Sequence, residues 1–310
     1  MRTVFMGTPG FAVPSLSALA EAGHEVVLVV TRPDRPRGRG LKPAPPPVKA
    51  RALELGLPVI QPERIRAPEA VEAIAAAGPE AAVVAAFGQM LPRSVLDVPP
   101  LGCINVHASL LPRYRGAAPI NWAIINGETT TGVTIMRMDE GMDAGLILLA
   151  GEEPIRPDDT AGSLAARLSM LGAGLLIQAL GDIQAGRSRP VAQESSKATY
   201  APMLRKGAGH IGWTKDAVEI ERLVRGLDPW PGAYFLRGGE TVKVWRARVY
   251  GETLFEGGPG EVVDVNRGGI KVMTGGGVLV VTELQRAGGR RMGAREFLAG
   301  HRVSKGERFV

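Results

Sequence analysis

One cysteine, Cys103, stands in 310 residues. That is too few for a disulfide framework, and it removes the thiolate clusters on which many zinc sites are built. A reducing compartment is the expectation. Histidine is nearly as scarce. The four, at 24, 107, 210 and 301, are scattered, and neither an H-x-H nor an H-E-x-x-H pair occurs, so no metal site is expected. No basic and apolar leader precedes the strand-like Arg2-Thr3-Val4-Phe5, and no uninterrupted apolar run approaches the roughly 18 residues of a membrane span. These absences point to a soluble, cytoplasmic protein.

Apolar material is plentiful by contrast. At 45% hydrophobic, 310 residues exceed what one ordinary core holds, and two domains are expected. Charge is distributed unevenly. Residues 1–204 hold 19 Lys and Arg against 19 Asp and Glu, whereas 205–310 hold 18 against 12, so the formal excess of +6 lies in the last third. Within the balanced part, Arg32 to Lys49 gathers six basic residues around Asp34 alone. Separated basic patches suit a polyanion-binding surface, since affinity for phosphates grows with the number neutralised.

Along the chain, strand-like runs at 3–6, 25–30, 58–60, 81–87, 103–107 and 132–138 alternate with helical segments at 11–21, 48–55, 68–77, 120–125 and 160–184. Such alternation means a mostly parallel, Rossmann-like sheet with helices on both faces. The polar stretch 187–204 lacks a strong period and suits a linker. Beyond it, one helix near 215–227 precedes five short β runs separated by glycine pairs, a pattern for which an OB-like β-barrel is the leading candidate. The domains expected are thus 1–186, a linker at 187–204, and 205–310.

Two turns invite a ligand. Gly7-Thr8-Pro9-Gly10 follows the first strand, but Pro9 stands where a dinucleotide fingerprint needs its second glycine, and it has a ring and no N–H. With the phosphate cradle damaged in this way, tight strand-to-helix packing is the better reading, even with Asp34 placed to imitate a ribose-binding acid. The stronger site is at Ile104-Asn105-Val106-His107, where period-two alternation puts Asn105 and His107 on one face of a strand end. Asp143 follows the next strand in a loop with glycines at 141 and 145. An amide, an imidazole and a carboxylate suit attack on a carbonyl, with donors for the oxyanion and a group to handle protons. A nucleophile is missing, since Ser109 has no G-x-S-x-G elbow around it. The attacking group would come from the substrate, as direct acyl transfer between two bound molecules.

The run NVHASLLPRYRGAAPI at 105–120, followed by GVTIM at 132–136 and Asp143, closely resembles the 10-formyltetrahydrofolate-dependent formyltransferases, and within them the branch acting on methionine esterified to the initiator tRNA. The likeness runs end to end, through GTPGFAVPSL, RPDRPRGRG, LVRGLDPWPGAYF and VKVW. It implies that Asn105, His107 and Asp143 are the catalytic set, and that Phe87, Gly88, Ser109, Leu110, Leu111 and Pro112 border 10-formyltetrahydrofolate, the formyl-donor cosubstrate. It implies initiator methionyl-tRNA as partner, gripped by Arg35, Arg37, Arg39 and Lys42 of the basic loop and by Lys206 and the C-terminal domain, with a monomer, no metal and no membrane.

Two other readings stand beside it. One keeps the donor and changes the acceptor to a small amine such as glycinamide ribonucleotide or a nucleotide sugar. The other is a folate-sensing or RNA-binding protein whose catalytic fold is dead. Trp213, Trp230 and Trp245 are expected in cores rather than stacked on nucleotides. Arg39→Ala is expected mainly to weaken tRNA use; the check is the dependence of formylation rate on tRNA concentration, and an unchanged dependence contradicts a role for that loop.

Overall fold

Short apolar runs bounded by glycine and proline become the strands of an α/β unit. The structure is a computed structural model and describes residues 1–37, 42–251 and 255–310. The chain forms two compact units, one of Met1–Pro119, Thr130–Pro154 and Ala165–Pro202, the other of Ile120–Thr129, Ile155–Leu164 and Met203–Val310.

In the first unit β1 (Arg2–Gly7) leads through a 3-10 turn at Gly10–Ala12 into α1 (Val13–Glu21) and then β2 (Glu25–Val30). A small ladder of β3 (Arg35–Arg37) and β4 (Lys42–Ala44) precedes α2 (Pro47–Glu54), which starts on proline, a residue that costs nothing at the first helical turn. Then follow β5 (Val59–Ile60), α3 (Pro68–Ala76), β6 (Ala81–Ala85), the single turn α4 (Arg93–Leu96) and β7 (Cys103–His107). After β8 (Arg115–Gly116) and α5 (Pro119–Ile125), which from Ile120 on belongs to the second unit, come β9 (Thr130–Arg137), β10 (Leu146–Pro154) and the long α6 (Ala161–Gln184), which returns to the first unit at Ala165.

The sheet order is β10-β9-β7-β6-β1-β2-β5, parallel from β7 to β5, with β9 antiparallel to both of its neighbours. The chain lays β2 and β5 on one side of β1, then returns to lay β6 and β7 on the other. This places a topological switch between β1 and β6, where open α/β sheets take ligands at the carboxyl ends of their strands. Thr8 Oγ1 donates to the Phe87 carbonyl at 3.2 Å across that gap. Gly7 is there for space, since a Cβ would lie 2.8 Å from Ala12 Cβ and 3.0 Å from the Ala85 carbonyl. The tight-packing reading of the first turn holds.

By length and composition α6 is apolar enough to cross a membrane. Its apolarity has another cause in this fold, because Leu164, Leu168, Leu176 and Leu180 form a buried stripe at helical spacing. Gly172 lets the helix approach the sheet so closely that a Cβ would meet Val106 Cγ1 at 2.7 Å.

β11 (Tyr200–Ala201), paired with β8, ends the first unit, and the second carries α7 (Ala217–Gly226), whose Asp216 cap accepts from the Val218 N–H at 2.9 Å. β12 (Ala233–Arg237), β13 (Glu240–Tyr250), β14 (Val262–Asn266), β15 (Gly269–Met273) and β16 (Val278–Arg286) form an antiparallel path in the order β12-β13-β16-β15-β14, with β17 (Met292–Gly293) on β16 and α8 (Ala294–Gly300) after it. The two edges of that path are joined by the end of the chain. Val310 exchanges backbone hydrogen bonds with Leu236 of β12, while Gly306 and Phe309 donate to Val262 within β14 and to Gly260 beside it, respectively, and Val262 donates to Glu307. A barrel edge is thereby covered on both sides. Sequence periodicity does not find this tail, nor β10, β17 or α8, because each is short, polar at alternate positions, or placed at an edge.

Phe309 anchors the tail, stacking on Phe235 with ring centroids 4.2 Å apart beneath Trp213. Phe309→Ala is expected to destabilise the second unit by about 3–5 kcal/mol, as for other buried phenylalanine truncations, measured by urea unfolding.

Candidate active site

Five consecutive buried residues, Cys103 to His107, make β7 a central strand, and its last turns of chain carry the polar pair. Asn105 is 8% exposed and His107 6%, on one face. A buried amide and imidazole need partners. The His107 Nε2 has one in the Tyr114 carbonyl at 3.0 Å. A carbonyl oxygen can only accept, so Nε2 carries a hydrogen. The other ring nitrogen, Nδ1, lies 3.6 Å from Asp143 Oδ2, within ion-pair reach and longer than a hydrogen bond. Sequence reasoning placed these three residues in one site, and the fold brings His107 and Asp143 together. Asn105's side chain has no hydrogen-bond partner among the described residues.

Asp143 is held from two sides. Its φ of +49° is left-handed, which aspartate tolerates better than most residues and which surrounding contacts must sustain. Oδ2 accepts from the Gly116 N–H at 2.8 Å. The Asp143 carbonyl accepts from Gln193 Nε2 at 2.8 Å, as does the Gly145 carbonyl. Gly145 has no alternative, because a Cβ would fall 1.9 Å from the Arg137 carbonyl.

The segment after β7 supplies the other contacts. Thr134, opposite His107 in the β7–β9 ladder, donates to the Ser109 carbonyl at 2.7 Å and accepts from the Leu111 N–H at 3.0 Å. Tyr114 also takes a left-handed φ, +60°, and its N–H donates to Thr199 Oγ1 at 2.8 Å. Gly116, at φ +118°, lies where a Cβ would meet the Ala201 carbonyl at 2.8 Å, in the parallel pair β8–β11. Between them the buried Arg115 donates to Gln193 Oε1 from Nε at 3.1 Å and Nη2 at 2.7 Å. Gln193, Thr199 and Thr134 lie outside the residues that the sequence marks for function. Gln193 and Thr199 sit in the polar stretch 187–204, where no local signal distinguishes either.

Neither candidate nucleophile is poised. Ser109 is fully buried and gives its hydroxyl hydrogen to the Arg113 carbonyl at 2.6 Å. Burial, with the charge of Asp97 adding, pushes the Cys103 thiol up to about 12, so it carries no thiolate at neutral pH. Asp34 is likewise engaged: Lys49 Nζ at 2.8 Å and Gln61 Nε2 at 2.7 Å hold its carboxyl below the usual range.

Of the residues expected at the folate, Phe87 and Leu111 are buried, Leu110 and Pro112 half-buried, and Gly88 takes φ +78° beside the Arg32 guanidinium. Of those expected at tRNA, Arg35 is exposed and paired with Glu63 at 2.9 Å. Arg39 and the tip of its loop lie outside the described residues, and of Arg37 and Lys42 only the backbone is described. Lys206 is exposed in the second unit, where Arg291 and it add to burial in holding Lys243 below the usual ammonium value. Trp213 and Trp245 are buried as expected, Trp245 under the Arg291 guanidinium at 3.5 Å. Trp230 corrects the expectation: flanked by prolines, it is 53% exposed.

A formyl transferase family model matches residues 1–180, and the model of a formyl transferase C-terminal domain matches 203–302. A methionyl-tRNA formyltransferase of Geobacter sulfurreducens is 52% identical over 99% of this chain and 96% of its own length, and one of Acetivibrio thermocellus is 48% identical over 99% of each. Among solved structures, HypX from Aquifex aeolicus in complex with tetrahydrofolic acid superposes with a TM-score of 0.67 at 20% identity, covering 96% of this chain and 47% of that one. An N-formyltransferase from Helicobacter canadensis in complex with folinic acid and dTDP-3-aminofucose gives 0.66 at 18%, covering 93% and 100%. The structural likenesses speak to the fold alone, but the sequence matches span both units, and on them the chain belongs to the formyl transferase family.

Proposed function

We propose that this protein transfers the formyl group of 10-formyltetrahydrofolate to the α-amine of methionine esterified to initiator tRNA, for translation initiation in the cytoplasm. The observation that carries the reading is the pair of buried His107 and half-buried Asp143 beside an amide, Asn105, left without a partner among the described residues, in a chain about half identical over its length to methionyl-tRNA formyltransferases. With Ser109 and Cys103 otherwise engaged, the acceptor's own amine is the attacking group.

The amine nitrogen bonds to the formyl carbon, and the formyl oxygen takes up the charge. Asn105 Nδ2 donates to that oxygen from a site shielded from water, where such a donor is worth most. His107, whose Nε2 hydrogen is committed to the Tyr114 carbonyl, can donate to the same oxygen from Nδ1 when the ring is doubly protonated. Asp143, its Oδ2 already holding the Gly116 N–H, has Oδ1 to receive the amine proton, directly or through water. The proton passes to the departing N10 as its bond to the formyl carbon breaks, leaving formylated methionyl-tRNA and tetrahydrofolate. The folate fits on the β6–β7 side, where Phe87, Gly88 and the Ser109–Pro112 turn combine apolar surface with backbone groups. Arg35, Arg37, Arg39 and Lys42 of the basic loop, and Lys206 in the second unit, would neutralise tRNA phosphates.

A small-amine acceptor would leave those cations without a purpose, and a non-catalytic folate sensor would leave the Asn105, His107 and Asp143 set without one. Incubation with 10-formyltetrahydrofolate and either charged initiator tRNA or glycinamide ribonucleotide separates the three: formylmethionyl-tRNA alone is expected, and formylation of the ribonucleotide alone, or of neither, overturns the reading. Asn105→Ala is expected to keep the fold and folate binding and to lose turnover by about 10²–10³-fold, as on removal of one oxyanion donor; wild-type turnover removes Asn105 from the mechanism. Asp143→Asn preserves shape and can still accept from Gly116, so single-turnover rates should fall by about 10²-fold or more with both substrate affinities kept.

A further inference from the structure

We infer that Gln193 is a positioning residue for the Asp143 carboxylate, an inference that rests on the formyl-transfer reading. Three features lead to it. First, Asp143 sits in a left-handed conformation in a loop that carries glycines at 141 and 145, a conformation that contacts from outside the loop must sustain. Second, the amide of one side chain closes that loop. Gln193 Nε2 donates to the carbonyls of Asp143 and Gly145, 50 and 48 positions away in sequence. Both hydrogens of the amide are used on the loop, and the spacing of the two carbonyls sets the local path of the backbone. Third, the other end of the amide is fixed. Gln193 Oε1 accepts two hydrogens from Arg115, a buried side chain between Tyr114, whose carbonyl holds His107, and Gly116, whose N–H holds Asp143.

The amide of Gln193 therefore ties the Asp143 loop to the residue that sits between the two groups fixing His107 and Asp143. Only a side chain that both donates and accepts can do this. A glutamate would keep, and strengthen, the contact with Arg115 while presenting oxygens where both carbonyls need hydrogens. That asymmetry separates positioning of Asp143 from mere anchoring of Arg115. Val191 adds a backbone bridge to Ile147 just beyond the loop, so the segment around Gln193 stays in place when the amide is changed.

The test compares wild type, Gln193→Glu, Asp143→Asn and the double variant, with 10-formyltetrahydrofolate and charged initiator tRNA. Gln193→Glu is expected to lower kcat by about 10- to 100-fold, the range for a misplaced catalytic group, with KM for both substrates within about twofold and the melting temperature near wild type. In the Asp143→Asn background it is expected to cost nothing further, since there is no charge left to aim. Wild-type kcat in Gln193→Glu, or the same loss repeated in full on top of Asp143→Asn, overturns the inference. Should Gln193→Glu fail to fold, Gln193→Met, uncharged and of similar length, is judged by the same ratios. Amide exchange of residues 138–147 decides independently of the acceptor: faster exchange there alone in the variant supports the role of Gln193 even if a different amine proves to be the substrate, and unchanged exchange rejects it.

Discussion

His107 depends on one carbonyl. The oxygen of Tyr114 fixes which nitrogen of the imidazole bears a hydrogen and turns the other toward Asp143, so the orientation of the ring is set by backbone rather than by a mobile side chain. Three successive residues share this work. Tyr114 holds the histidine, Gly116 holds the aspartate, and Arg115 reaches the glutamine that closes the aspartate's loop. The segment can do so because it is itself held on its far side by Thr199 and Ala201, at distances a Cβ on Gly116 would not permit. Two left-handed non-glycine residues, Tyr114 and Asp143, are the local cost, roughly 1–3 kcal/mol each at such positions, offset by these contacts.

That arrangement explains why no nucleophile is needed. Acyl transfer by direct attack asks the protein to orient two substrates, to receive a charge on one oxygen and to move one proton. The groups gathered at the end of β7 can do the last two, and the sheet's switch point is where the substrates would be oriented. On the proposed reading, Arg32 to Lys49 and the cations of the second unit would serve recognition of a polyanion rather than the chemistry.

Much of this was legible in the sequence, for identifiable reasons. Alternation in Ile104–His107 reported a strand end with two polar groups on one face, because a period of two is local. Glycines at 141 and 145 marked a tight loop for the same reason. The clamp was not legible, since Gln193 meets its partners across 48 to 78 positions and lies in a stretch without period. Nor was the closing tail of the second unit, whose residues pair with strands some 45 to 75 positions earlier. The exposure of Trp230 is not legible either, because a tryptophan's burial depends on neighbours that flanking prolines do not disclose.

That a single backbone acceptor dictates the state of the His107 imidazole is tested most directly by nitrogen NMR of His107 across a pH titration. The expected result is an Nε2 that keeps its hydrogen in both the neutral and the cationic ring, with only Nδ1 gaining and losing one. A neutral ring protonated at Nδ1, with Nε2 bare, would mean that the Tyr114 carbonyl does not hold the histidine and that the arrangement around it has been misread.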